Sequence, residues 1–374
     1  MVVYRSRIPW APLLALFSLF SPAARAADLD PALLEGGYRA VLGLWAQSDP
    51  RAVDELVRFE SSIISDTDPQ TRESLHKAEQ RVISEAAGVD LEVLVPLSVL
   101  HQEAYRHYAN HGGIGAAQVA THDRTLALDL ALLYKKHVGT PEASALASRL
   151  IARLASVSTD SFQAAKLFEL ASEADPKNGV PLLRLATVFE KNDNYVDTVA
   201  ALEQMRASDP ESPAKYPESS LQLTLCLARL EKNDQAIKLL APLAQTPPVP
   251  WIGMLAAQEL ARIHQEERHP ERAEKVLRAA LEHFPRSVRL TLQLASVLDA
   301  KGAQQEARTV LDGIAEIGAD ASDDSRYRYN RFSQELFDDA DRVVEPAGRQ
   351  RLALLASSLS SGMTPPAATD GVAR

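Results

Sequence analysis

The chain has 374 residues, 46% hydrophobic and 24% charged, a composition that supports a packed core and excludes both disorder throughout and a polytopic membrane protein. A formal charge of −10, from 40 basic against 50 acidic residues, lacks the basic footprint that bulk nucleic acid requires. The single cysteine, Cys226, leaves no internal disulfide and no CxxC pair for zinc, redox work or haem attachment.

Residues 1–7 are basic through Arg5 and Arg7, and residues 8–23 are apolar, with Leu13, Leu14, Leu16, Phe17, Leu19 and Phe20. Ala24, Arg25 and Ala26 follow as the A-x-A pattern of a signal peptidase site, where only small side chains fit at the two Ala positions. This predicts a Sec-type signal peptide over 1–26, cut between Ala26 and Ala27, and a periplasmic or secreted product with no stable membrane insertion after cleavage. An uncleaved anchor is disfavoured by Pro9, Pro12 and Pro22 in a segment short for the roughly 20 residues of a bilayer span. The absence of disulfide pairs fits a bacterial envelope better than a eukaryotic secreted domain.

From residue 27 onward apolar residues recur at three and four positions, with no run of alternating β-branched residues, which predicts an all-α fold. Over 27–141 the pattern predicts helices at 30–46, 51–65, 69–88, 91–111 and 118–138. The phrase Ala164, Phe168, Ala171, Asp175, Pro176 then recurs as Thr198, Leu202, Met205, Asp209, Pro210, 34 residues later. Further copies lie at Ala236, Leu240, Leu243, at Ala273, Leu277, Ala280, Pro285 and at Ala307, Leu311, Ile314. The third copy is flanked by Pro213, Pro217, Pro242, Pro247, Pro248 and Pro250, which read as lengthened turns. A second helical pattern precedes each copy, with Ala186, Ala261 and Ala295 small enough for two antiparallel helices to approach closely. Asp-Pro or Phe-Pro ends the second helix.

These residues resemble the tetratricopeptide repeat, the 34-residue helix-turn-helix unit, in five copies over 142–318. The large aromatic that the family carries early in its first helix is replaced here by Ser148, Leu182, Ser220, Ala257 and Thr291. The resemblance implies a right-handed solenoid of helical hairpins, with residues 27–141 as diverged repeats or a helical cap, capping helices over 319–359 and a disordered tail over 360–374. It also implies a groove lined by the first helices that holds a partner protein or peptide. Counted onto this sequence, the groove-facing positions are Arg149, Arg153, Arg184, Thr187, Lys191, Gln222, Arg229, Gln258, Arg262, Gln265, Arg289 and Gln293. Arg can grip carboxylates and Gln can pair with peptide amides, which suits an acidic partner segment. Glu190, Glu259, Glu266 and Asp299 share that face and are able to neutralise it. The Lys and Asn carboxylate clamp of cytosolic co-chaperones in the family is absent.

The rival chemistry is a histidine group, His101, His107 and His111 on one predicted helix and His122 after Gly112, Gly113 and Gly115. His107 and His111, four apart, share a helix face and could hold a metal ion with Glu103 or His122, the basis of an alternative reading as a metal-dependent hydrolase built in residues 91–125. Tyr108, Ala109 and Asn110 stand where a zinc-peptidase helix carries its Glu, and His101 points elsewhere. No nucleophile elbow, phosphate-binding loop or dinucleotide fingerprint occurs, and Cys226 between Leu225 and Leu227 reads as a buried structural thiol. Arg326 to Phe332 interleaves bases with aromatics amid acidic residues and reads as part of a capping helix. The expectation is a non-catalytic scaffold of the cell envelope, with no cofactor.

Overall fold

The computed structural model describes residues 30–64, 69–111, 116–314 and 328–329. The expected signal peptide, the turn at Gly112, Gly113 and Gly115, all but residues 328–329 of the expected capping helices, and the tail lie outside the described residues. Among the described residues every regular element is helical. No described helix is long and apolar enough to cross a membrane.

The chain forms two compact units that part between Asp175 and Pro176. The first holds α1 (Pro31–Ala46), α2 (Ala52–Ile64), α3 (Pro69–Val89), a 3-10 turn (Leu91–Val93), α4 (Leu94–His111), α5 (Ala116–Val138), α6 (Pro141–Ser156) and α7 (Ser161–Ala174). Helix α4 packs along α5, α1 lies against α2 and α3, and α6 pairs with α7. Caps start the last pair: Thr140 accepts from the Ala143 amide ahead of α6, and Asp160 accepts from the Phe162 and Gln163 amides ahead of α7. Buried hydroxyls cross between paired helices, Ser98 Oγ donating to the Ala127 carbonyl at 2.7 Å and Ser148 Oγ to the Ala171 carbonyl at 2.7 Å. The Trp45 indole donates to the Pro96 carbonyl at 2.8 Å and ties α1 to α4.

The second unit holds α8 (Val180–Lys191), α9 (Tyr195–Ser208), α10 (Ser212–Lys215), α11 (Pro217–Arg229), α12 (Asn233–Gln245), α13 (Pro250–Glu266), α14 (Pro270–His283), α15 (Val288–Ala300) and α16 (Gln304–Asp312). The pairs α8/α9, α11/α12, α13/α14 and α15/α16, with α6/α7 of the first unit, are tetratricopeptide-type hairpins. The repeated phrase supplies their contact faces, since Phe168, Leu202, Leu240 and Leu277 are all fully buried. Each residue before a helix-ending proline is driven into extended backbone, with φ −138° at Asp175, −130° at Asp209 and −127° at Phe284.

Two details depart from the sequence pattern. The additions beside the third copy are not turns alone: Pro213 sits in the single-turn α10, Pro217 and Pro250 open helices, and Pro242 lies inside α12. In the last pair Leu311 is 43% exposed, unlike its counterparts in the earlier copies.

One turn is repeated throughout the second unit. Asp193, Glu231, Arg268 and Gly302 each follow the first helix of a pair with φ of 56°, 57°, 59° and 82°. In each turn the next amide reaches back five residues, Asn194 to Phe189, Lys232 to Leu227, His269 to His264 and Ala303 to Leu298. This is the Schellman closure, which places a left-handed residue just past the helix end and favours glycine there. Arg268→Gly relieves the Cβ crowding and is expected to stabilise the protein by about 1 kcal/mol, while Gly302→Ala costs a similar amount. Denaturant unfolding of the two variants checks both signs.

Candidate functional site

The first helices α6, α8, α11, α13 and α15 carry the positions expected to face a groove, and the structure sorts these residues into three kinds. Arg149, Lys191, Arg229 and Arg289 are exposed. Gln258, Arg262, Gln265 and Gln293 are half-buried, with the Gln293 amide donating to the Gln258 carbonyl at 3.0 Å. Arg153, Arg184, Thr187 and Gln222 are buried. Arg153 is drawn into the packing of α6 on α4, where it donates to Gln102 Oε1 at 2.8 Å and pairs with Glu103. Thr187 turns back on its own helix, its hydroxyl 3.0 Å from the Leu183 carbonyl.

Within the second unit, Glu190, Tyr195, Leu225, Cys226, Arg229 and Glu259 line a cavity of about 150 Å³. Its walls come from α8, α11 and α13, the first helices of three consecutive hairpins, and from the start of α9. Glu190 is held in place by Gln222, whose Nε2 donates to it at 2.7 Å, and by the Tyr329 hydroxyl at 2.9 Å. Arg262 clamps Glu259 with contacts of 2.5 and 3.1 Å and also pairs with Glu266, so its charge is spent within the protein. The Tyr195 hydroxyl donates to Asp193 at 2.6 Å. Burial and then the nearby Glu190 push the Cys226 thiol up to about 12, which keeps it protonated and a poor nucleophile. The lining offers two carboxylates, one guanidinium and an apolar floor, a chemistry suited to mixed polar contacts with a polypeptide. Glu190 and Glu259 were legible as groove acids, whereas Tyr195 carried no periodic signal that singled it out.

The histidines divide differently from the expected group. His107 and His111 stack on one another, ring centroids 4.4 Å apart, with His107 Nδ1 at 4.0 Å from Asp54. His122 is not brought to them. It faces α3, where its Nε2 meets Glu79 Oε2 at 2.7 Å and its ring lies edge-on to His76. Burial opposes its protonation, but Glu79, with a smaller contribution from Asp123, outweighs that and pushes it up to about 9.

Beside this pair, His101 sits at the centre of a fully buried polar nest. Its Nδ1 lies 2.6 Å from Asp123 Oδ1 and 3.9 Å from Glu60 Oε1, and its Nε2 lies 2.8 Å from the Tyr38 hydroxyl. Burial first, then Asp123 and Glu79, holds the Glu60 carboxyl well above the usual carboxylate range. Two trios bring their ligand atoms within 4.8 Å of one another, Glu60–His101–Asp123 and His76–Glu79–His122. Only His101 and His122 of these were picked out from sequence. The missed signal is periodic: Tyr38, Glu60, Glu79, His101 and Asp123 each fall four residues after a buried Leu34, Leu56, Leu75, Leu97 or Val119, on the apolar stripe of five successive helices.

The architecture defined by these hairpins is a tetratricopeptide-type helical array, a fold typical of protein-interaction scaffolds. Residues 264–329 match the family model for the tetratricopeptide repeat. Among solved structures, MamA is similar at 18% identity, covering 42% of this chain and 88% of its own, with a TM-score of 0.37. A MamA double mutant is similar at 15% identity, covering 46% and 94%, with a TM-score of 0.39. Yeast Tom70 is similar at 13% identity, covering 92% and 90%, with a TM-score of 0.27. No curated protein matches the sequence.

Removing the Arg153 side chain leaves Gln102 Oε1 and Glu103 without this donor beneath α6. Arg153→Ala is therefore expected to destabilise the first unit by about 2–3 kcal/mol, against less than about 0.5 kcal/mol for the exposed Arg149→Ala. Thermal unfolding of both variants measures the difference.

Proposed function

We propose that the protein is a non-catalytic scaffold of the bacterial cell envelope that holds a segment of a partner protein along the first helices of its second unit. The observation that carries this reading is the cavity shared by α8, α11 and α13. It presents acceptor and donor groups from three hairpins to one occupant, and its protonated, buried Cys226 offers no nucleophile. Arg262 is neutralised by Glu259 and Glu266, so any preference for an acidic partner falls on the exposed Lys191, Arg229 and Arg289. A partner of mixed charge suits the lining better than a uniformly acidic one, because Glu190 and Glu259 stand beside Arg229.

The envelope location is supported by the basic start, apolar stretch and Ala24-Arg25-Ala26 site of the chain. Mass spectrometry of the protein recovered from envelope fractions is expected to show a mature chain that starts at Ala27. A chain that retains Met1 would count against export by this route.

The groove is tested by affinity capture from envelope extract with the wild type and with Arg229→Glu/Arg289→Glu, whose side chains are exposed and leave the core intact. Retention of the partner is expected to fall at least about tenfold in the variant, as expected when two charge contacts are reversed. Equal retention by the two proteins sinks the groove assignment.

A further inference from the structure

Glu60, Glu79 and Asp123 are fully buried carboxylates contributed by three different helices, α2, α3 and α5. Their only basic partners among the described residues are histidines. Ions so far from water persist only when paired and hydrogen-bonded. Yet both oxygens of Glu60, Oε1 of Glu79 and Oδ2 of Asp123 have no hydrogen-bond partner. A proton on Glu60 answers part of this deficit. It gives one donor, which Asp123 Oδ2 can accept, and the second Glu60 oxygen still goes unmatched, as does Glu79 Oε1 beside it. A multivalent cation takes several such oxygens at once.

We propose that Glu60, His101 and Asp123 form a binding site for one divalent first-row transition-metal ion. His101 supplies the nitrogen. Its Nδ1 faces both carboxylates, and its Nε2 faces Tyr38, so in the tautomer that leaves Nδ1 open to a metal, Nε2–H donates to the Tyr38 hydroxyl and fixes the ring. One imidazole with two carboxylates selects zinc, iron, cobalt or manganese over magnesium and calcium, which prefer oxygen alone, and over ions that seek thiolates. The neighbouring trio is the weaker position, because Glu79 already has His122 as its counter-charge while Glu60 has only the distant edge of His101. The ion would join α2, α4 and α5 at one point, which makes it a structural weld of the first unit.

The test uses the full-length protein dialysed against EDTA and then titrated with Co²⁺, with Zn²⁺ as competitor. The expected result is one equivalent of Co²⁺ bound, with visible absorption of a nitrogen- and oxygen-ligated ion displaced by Zn²⁺. The unfolding midpoint should rise by at least about 5 °C on metal addition. Glu60→Gln/Asp123→Asn keeps the side-chain shapes and should bind at least about a hundredfold more weakly, while His107→Ala/His111→Ala, at the stacked pair of half-buried His107 and exposed His111, should bind as the wild type does. No bound Co²⁺ and an unmoved midpoint in the wild type would overturn the site and leave a protonated Glu60 as its explanation. Binding abolished by the His107/His111 variant, or unchanged in the Glu60/Asp123 variant, would overturn it equally. If the Glu60/Asp123 variant does not fold, the wild-type spectrum, stoichiometry and midpoint decide, together with the His107/His111 control.

Discussion

The close approach of paired helices is the constraint on which the fold depends. Two helices can bury each other's backbone only where side chains at the crossing are small, and every hairpin here puts Ala, Ser or Thr at that point. Ala152 and Ala164, Ala186 and Thr198, Ala261 and Ala273, and Ala295 and Ala307 are all buried, as is Ala236 of the third pair. Where the small residue carries a hydroxyl, it also bonds the facing backbone, as Ser148 does to Ala171 and, at 3.4 Å, Thr198 to Ala186. Larger side chains such as Phe168, Leu202 and Leu277 then fill the space beside the crossing. A bulkier residue at any of these crossings would push the two helices apart and unseat the packing of both neighbours.

That constraint leaves a polar residue few places to go. On α8, α11 and α13 some polar side chains reach the cavity, Thr187 turns back on its own helix, and Arg262 is bound to Glu259 and Glu266. In the first unit the arrangement is reversed. Five helices each insert at least one hydrogen-bonding group into what periodicity reserves for aliphatic side chains, and Tyr38, His101 and Asp123 link up as a chain.

The hairpins were readable because their signals are local: a small residue, a large one four further on, and a proline that bars the next turn. The first five helices of that unit were readable for the same reason, their ends agreeing with the periodicity to within about three residues. The groove was only partly readable. Helical spacing places Arg153 and Gln222 on the right face, but whether a side chain stays at the surface depends on what the next helix brings to it, and Gln102, Glu103 and Glu190 lie 51, 50 and 32 residues away. The histidine group was only partly readable on the same ground. Sequence spacing favoured His107 with His111, yet His122 takes its partners from α3, and His101 takes its own from α1, α2 and α5. The left-handed turns went unnoticed because Asp193, Glu231 and Arg268 do not advertise a positive φ as glycine does.

The contact between Tyr329 and Glu190 spans 139 residues. A linear array in which each hairpin touches only its neighbours unfolds piecemeal, fraying from its ends with little cooperativity. A buried phenol from beyond the last hairpin that bonds to the first hairpin of the second unit converts that open chain of nearest-neighbour contacts into a closed one. Opening the second unit at α8 therefore also costs this long-range bond, worth about 1–3 kcal/mol to a charged acceptor, over and above the contacts between neighbouring hairpins.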